Sequence, residues 1–407
     1  TVRHAISRQW LGGTDFGRLA KWLDEHGYKF DYISDRQLAE CKVVDGKIET
    51  SGGARYAMLL VPGTRFLPIE TSRSTIRLAE DGATIVSHGQ APGGTPGMTH
   101  REHQAEFDAL ASRFVDRLEP ASGYTSATLG KGQIVIAADL ARALPALDVR
   151  SEPWSSGDRL RFQRRSWSGG NLYFIKNDSP DAFDGEVAPA VDFTHAVLMD
   201  PLDGRIGEVP VTRNDDDQPA IRLQLAPHQS IVVKTYREPV DAQAWEYREA
   251  AGDAVPLEGE WQVEFIEGGP ELPPPFTTRT LESWTKLAGS EAESFAGTAR
   301  YTIEFTPTAD ATRYLLDLGN VADSARVELN GRPVATLFAP PYEVEIGPLS
   351  AGPNQLTIEV TNVAANRIRD LDRRGVAWKV FKDINFVDIN YRPFDASNWP
   401  IRDAGLL

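Results

Sequence analysis

The sequence has 407 residues, of which 41% are hydrophobic, 25% charged and 9% aromatic, a balance that excludes a disordered or collagen-like chain. At roughly 100–200 residues per domain, this length predicts two to four domains. Lys and Arg number 43 against 58 Asp and Glu, and the net charge of −15 repels phosphate backbones and anionic lipid, so neither nucleic acid nor a membrane is expected as a partner.

The single cysteine, Cys41, can form no internal disulfide and leaves none of the paired spacings that zinc or redox sites use. No run approaches the ~20 apolar residues of a membrane span, which predicts a soluble protein. Thr1 to Ile6 lack the zones of a signal peptide and there is no initiator methionine, so a processed or truncated chain is expected.

From Asp15, the spacing of Phe16, Leu19, Ala20 and Leu23 predicts a helix with one buried stripe, ended by Gly27 and followed by a strand over Tyr28 to Ile33. The unit repeats. Ala57 to Val61 is a continuous apolar strand stopped by Pro62-Gly63, Ile69 to Glu80 a helix, Ala83 to Ser87 a strand, Arg101 to Leu118 a helix, and the residues from Ile134 a strand. Buried strands alternating with helices predict a doubly wound parallel α/β domain over residues 1–150.

After Arg150 the helical period disappears. Strands are expected near Asn171–Asn177, His195–Asp200, Ala220–Leu225 and Ser230–Tyr236, separated by turn chemistry at Pro201–Gly204 and Asn214–Asp217. These predict a small β-sandwich over 151–240, with a polar linker over 241–255. From 256 to 407, Trp261–Ile266, Ala299–Phe305, Tyr314–Leu318, Ala325–Leu329, Tyr342–Ile346 and Gln355–Asn362 carry the period-2 pattern of half-buried strands. Asn330-Gly331 is a two-residue hairpin signal, since a type I′ turn needs positive φ at both positions. A second β-sandwich is predicted, and no internal repeat is visible.

The order of "FDYIS" and "YAMLLVPG", then "YFIKN" and "DPLDGRI", then "LLDLGNVADSARVELNG" and "NQLTIEVTNVAANR" resembles the C-terminal portion of glycoside hydrolase family 106, the α-L-rhamnosidases. The likeness covers essentially the whole chain. It implies an amidotransferase-like α/β domain, a small β-sandwich, and a closing sandwich similar to the galactose-binding-type (jelly-roll) domain of family 2 glycosidases. It also implies an N-terminal barrel that inverts the anomeric centre with glutamates and calcium. Eight strand–helix units would take roughly 200 residues or more, longer than the α/β part of this chain, so no catalytic residue is carried over. The chain is expected to be an accessory part of a hydrolase of rhamnose-containing carbohydrates, inactive alone, with the barrel of the same polypeptide as its partner. The runner-up is a non-catalytic carbohydrate-binding protein. A polysaccharide-degrading role points to the periplasm or exterior rather than the cytosol.

Cys41 lacks the flanking glycines of a nucleophile turn, His88 has no nucleophile to serve, and Pro62-Gly63-Thr64 reads as a plain turn. The pairs Glu258/Glu260 and Glu343/Glu345 each share a strand face and read as solvated. Asp215 to Asp217 lack the ordered pattern of a calcium loop, so no metal ligand is expected. For sugar recognition, which pairs an aromatic ring with Asn and Arg forks, the candidates are Asn362, Asn366, Arg367, Trp378, Tyr391 and Trp399, with Arg369 beside them.

Overall fold

The structure, a computed structural model, describes residues 11–97, 100–156, 159–249, 252, 254–307, 313–379 and 394–407. Its buried and partly buried apolar side chains collect into separate clusters that follow the chain: two drawn from the first ~150 residues, one from Trp154 to Tyr247, and one from Leu257 to Leu406. It is a mixed α/β and β-sandwich assembly of several sheets. No described helix is long and apolar enough to cross a membrane.

The first segment opens with the helix Asp15–Glu25, capped by the Thr14 hydroxyl, with Leu19 and Leu23 buried. Phe16, placed by periodicity on the same stripe, is instead 39% exposed and stacks on Tyr32 at 5.0 Å. Gly27 holds φ +74°, and a Cβ there would lie 2.3 Å from the Glu152 carbonyl, so both turn and close approach require glycine. Residues 28–33 form no strand. Phe30 lies edge-on to Tyr32 and Tyr56 donates to Asp31 at 2.5 Å, so ring packing and a side-chain bond stand where a ladder was expected.

The sheet of this segment is parallel only in part. Met58–Val61, Thr84–His88 and Gly132–Ala137 run parallel in the order expected of strand–helix–strand units. Tyr124–Leu129 and Glu119–Ala121 then extend the sheet antiparallel. The doubly wound parallel expectation is corrected here to a mixed five-stranded sheet. The tight Gly130-Lys131 turn, with Gly130 at φ +61°, returns the chain directly, where a parallel neighbour would need a crossover helix. The long predicted helix is shorter, His100–Ala111, and the chain reaches the antiparallel strands through a single 3₁₀ turn at Val115–Arg117. A small meander of Lys42–Val44, Lys47–Glu49 and Arg55–Tyr56 precedes the sheet.

The middle segment is two sheets around one core. Five antiparallel strands stand in the order Ile206–Val209, His195–Met199, Ser230–Tyr236, Gly170–Asn177, Leu160–Trp167. Opposite them Phe183–Val187, Pro219–Leu225 and Thr212–Arg213 form a second sheet. Alternation decides the inside: Tyr173, Ile175, Ile221, Leu223, Ile231 and Val233 are buried, their strand neighbours less so.

In the last segment a six-stranded antiparallel sheet, Phe276–Thr278, Trp261–Gly269, Ala296–Phe305, Asn354–Thr361, Ser324–Leu329 and Arg332–Leu337, shares its core with the pair Tyr314–Asp317 and Glu343–Ile346. Asn330 (φ +53°) and Gly331 (φ +73°) make the type I′ hairpin. The chain end closes this core: Gly405–Leu406 pairs with Val321–Ala322, and the Trp284 and Ala404 main chains bond at 2.9 Å.

Candidate functional site

The predicted sugar-contacting residues converge on the helix Ala365–Arg373 and the stretch from Phe394 that returns across it. Asn366 is the buried residue of that helix, 3% exposed. Its amide donates to the Arg402 carbonyl and accepts from the Arg402 N–H, both at 2.8 Å, so a single side chain stands in for a strand neighbour. Asn362 does the same at the other end, accepting from Gly297 N at 2.9 Å and donating to the Phe295 carbonyl at 3.0 Å. Arg367 is paired with Asp370 at 2.8 Å, and Arg369 donates to the Trp399 carbonyl at 2.6 Å.

Around Asp372 the helix end, Trp378 and the return segment form one knot. Its carboxylate accepts from Trp378 Nε1 at 2.6 Å and from Ala396 N at 2.8 Å, and it pairs with Lys379 at 3.1 Å. Lys379 also donates to the Phe394 carbonyl at 2.6 Å and lies 5.5 and 5.2 Å from the ring centres of Trp378 and Phe394. Phe394 in turn meets Trp399 edge-on at 5.6 Å. Burial pushes the Asp372 carboxyl upward, but the bonds from Ala396, Trp378 and Lys379 outweigh it and hold the group below the usual carboxylate range.

This arrangement brings Asn366, Arg367, Trp378 and Trp399 together and sets Asn362 beside Phe295 and Gly297. Tyr391 lies outside the described residues. The two Asn amides are committed to main chain, and Trp399, 39% exposed, is the exposed aromatic residue among the described members of the cluster.

Elsewhere, Cys41 is buried, its Sγ 3.3 Å from the Gln37 carbonyl, and burial raises its thiol pKa, the opposite of a nucleophile's requirement. His88 ends a parallel strand, and its carbonyl lies within 3.1 Å of where a Gly63 Cβ would stand, so the Pro62–Thr64 turn sits against it. Asp217 (φ +58°) occupies a turn closed by the Asn214 and Gln218 side and main chains. Among the described residues no group of three or more His, Cys, Asp or Glu is placed to hold a metal ion.

Sequence reasoning missed the most heavily bonded acid. Glu152, 1% exposed, accepts from Trp154 Nε1 (2.9 Å), Arg164 Nη1 (2.7 Å), Tyr173 Oη (2.9 Å) and Ala190 N (2.7 Å). It lies at the expected domain boundary, where nothing local marks a buried charge. Glu343, read as solvated, is half-buried opposite Asp317, and burial followed by the Asp317 charge raises its pKa, with Arg248 opposing.

The family model of the alpha-L-rhamnosidases, glycoside hydrolase family 106, matches residues 22–213. The solved rhamnosidase of Novosphingobium sp. PP1Y aligns with 93% of this chain and 35% of its own, at 26% identity and TM-score 0.68. A protein of Formosa agariphila provisionally named beta-glucuronidase is 30% identical over 164 residues, 36% of this chain and 13% of that protein. The chain resembles the family 106 α-L-rhamnosidases, and it spans about a third of the length of the solved relative.

Proposed function

We propose that this chain is the accessory C-terminal part of an α-L-rhamnosidase-type glycoside hydrolase acting on rhamnose-containing glycans or glycosides. One observation carries the reading: nearly the whole chain, 93%, aligns with a rhamnosidase of which it covers only 35%. In this reading residues 1–150 are an amidotransferase-like scaffold, 151–240 a small β-sandwich and 256–407 a galactose-binding-type jelly roll joined by the 241–255 linker. The catalytic barrel and any calcium it uses belong to polypeptide outside residues 1–407, and the enzyme works in the periplasm or outside the cell.

The side-chain chemistry supports an accessory role. Inverting hydrolysis needs an acid and a base roughly 6.5–9.5 Å apart in a cleft, held by rigid elements. Here the four acceptor sites of the Glu152 carboxylate are filled by internal donors, and Asp372 is held by three, so both acids are committed to the fold. Incubating the chain with a chromogenic α-L-rhamnoside from pH 5 to 8, with and without calcium, should give no turnover. Turnover abolished by one Glu or Asp substitution within residues 1–407 would overturn the proposal.

The second reading, carbohydrate binding by the terminal cluster of Asn362, Asn366, Arg367, Trp378, Tyr391 and Trp399, rests on the exposed Trp399, whose main-chain carbonyl is held by the Arg369 guanidinium. Titration with rhamnose and galactose tests it. Saturable binding lost in Trp399→Ala would favour it over bracing alone.

A further inference from the structure

The outer face of the five-stranded sheet in the middle segment is unlike a solvated face. An antiparallel sheet with one side on a core ordinarily turns polar residues to water. Here the register aligns Phe174, Val232, Met199 and Ile206 across four strands in one row, with Phe174 45% and Ile206 61% exposed. The next row places Arg165, Leu172, Lys234, Val197 and Glu208 side by side, and the row after it carries Trp167 and Tyr236. Trp167 is 38% exposed and edge-on to Tyr236 at 5.3 Å, and Lys234 Nζ stands 4.4 and 5.0 Å from the two ring centres.

Charge tells what this face fits. The chain carries 58 acids against 43 bases, yet neither Arg165 nor Lys234 has a carboxylate partner among the described residues. The acid of their row, Glu208, lies two strands beyond Lys234, roughly 10 Å away across Val197. Lys234 is therefore held in place by aromatic rings with its charge unneutralised, ready for an anion. Phe174 and Trp167 bracket this cationic row. They lie two rows apart, which at the strand rise is about 13 Å, the reach of a short oligosaccharide. Ring faces take the C–H faces of pyranoses, and guanidinium and ammonium groups take carboxylates.

We infer that this sheet face binds a carboxylate-bearing oligosaccharide, a uronate-containing glycan, with Trp167 and Phe174 as stacking platforms and Lys234 and Arg165 as carboxylate contacts. The choice of a glycan over other anions rests on the glycoside hydrolase reading; the anion itself rests on the face alone.

The test is calorimetric titration of the full chain with three probes: an oligogalacturonide, its carboxyl-reduced neutral counterpart, and poly-glutamate of similar charge. Oligogalacturonide should bind, more weakly as salt rises, and the neutral counterpart at least about tenfold more weakly. Lys234→Gln and Trp167→Ala should each weaken binding about tenfold or more with unchanged circular dichroism, Arg165→Gln serving if either fails to fold, while Arg213→Gln, on the opposite sheet, leaves it intact. Equal binding of the neutral sugar overturns the carboxylate contact, and equal binding of poly-glutamate overturns the glycan. No binding at millimolar probe, or a dimer by sedimentation that Ile206→Lys dissociates, overturns the site by leaving the face bare or covered by a second copy. Rhamnoside turnover by the chain alone would refute the accessory role and leave this titration unchanged.

Discussion

Tyr173 donates its hydroxyl to Glu152 at 2.9 Å in a site where the Tyr173 side chain is fully buried and Glu152 is 1% exposed. The bond joins two units of the fold, because the Glu152 N–H also donates to the Gly27 carbonyl at 3.0 Å, at the end of the first helix. Burial first, and the Glu152 charge next, drive the Tyr173 hydroxyl far above its ordinary pKa, so it remains a donor at any working pH. Arg164 completes the ion pair, its side chain 27% exposed.

Removing the carboxylate should therefore be among the most damaging single changes in the chain. Glu152→Ala strands a largely buried guanidinium and three further donors, which costs about 3–5 kcal/mol. Glu152→Gln keeps the shape and part of the bonding, so it should lie between Ala and wild type in urea unfolding. An unchanged midpoint for Glu152→Ala would mean water fills the site.

Much of the fold was legible in sequence, for reasons visible in single elements. Asn330-Gly331 dictates its hairpin locally, and the alternation through Gln355 to Thr361 dictates a half-buried strand. The strand Leu160–Trp167 was missed because its outward residues Arg161, Gln163 and Arg165 are polar and Arg164, facing inward, is charged; its partner Glu152 lies on another element. The same holds at the candidate site. Asn366 and Asn362 carry the residue type of a sugar fork, and only the three-dimensional return of Arg402 and Gly297 shows their amides bonded to main chain.

Gly331 offers a local test. At φ +73° a side chain is strained, and no atom lies within 4 Å of an added Cβ, so the cost of Gly331→Ala is conformational alone. About 1–2 kcal/mol is expected in denaturant unfolding, without loss of the Asn330 bonds to Asn354 and Gln355. A loss well beyond that would point to register slippage in the hairpin.

The chain end should behave as a core element. A Cβ on Gly405 would lie 2.3 Å from Tyr301 Oη and 3.0 Å from the Trp284 ring, both side chains buried. Gly405→Val should destabilise by about 3 kcal/mol or more, through overpacking and the strain of a β-branched residue at φ +105°, and Asn366→Ala, which frees Arg402, by about 1–3 kcal/mol through two unmade bonds. Limited proteolysis should show the segment after Trp399 cleaved faster in both variants. Equal cleavage rates would show that the Asn366 clamp is dispensable.

Asp372 gives the acid side of the pH profile. Its folded pKa is depressed, so its contribution is present above the unfolded value and lost as pH falls through the folded one. Asp372→Asn should lower stability at pH 7 and flatten the decline below pH 4, with Trp378 fluorescence reporting release of its Nε1 bond. Parallel acid profiles for the two proteins would remove Asp372 from the transition.

Glu343 should show the reverse sign. It stands directly opposite Asp317 in the pair Tyr314–Asp317 and Glu343–Ile346, with Arg248 approaching from the stretch that packs on the middle segment; Arg248 is itself 3.4 Å from Asp203, which draws on its charge. Burial and the Asp317 charge raise the folded pKa of Glu343, so the folded state holds its proton more tightly than the unfolded chain. The favourable contribution is complete below the unfolded value and is lost as pH rises through the folded one. At pH 7 the native protein therefore carries a net cost here, from burial of the charge first and the Asp317 charge second, and Glu343→Gln should stabilise it by about 0.5–1 kcal/mol, the size of a like-charge pair across two strands. At pH 4 and below the gain should vanish, because Glu343 is already protonated. Asp317→Asn, which removes only the second of these costs, should reproduce part of the gain at pH 7. Thermal unfolding of both variants at the two pH values checks the argument, and a Glu343→Gln variant less stable than wild type at pH 7 would show that attraction to Arg248 outweighs the Asp317 charge.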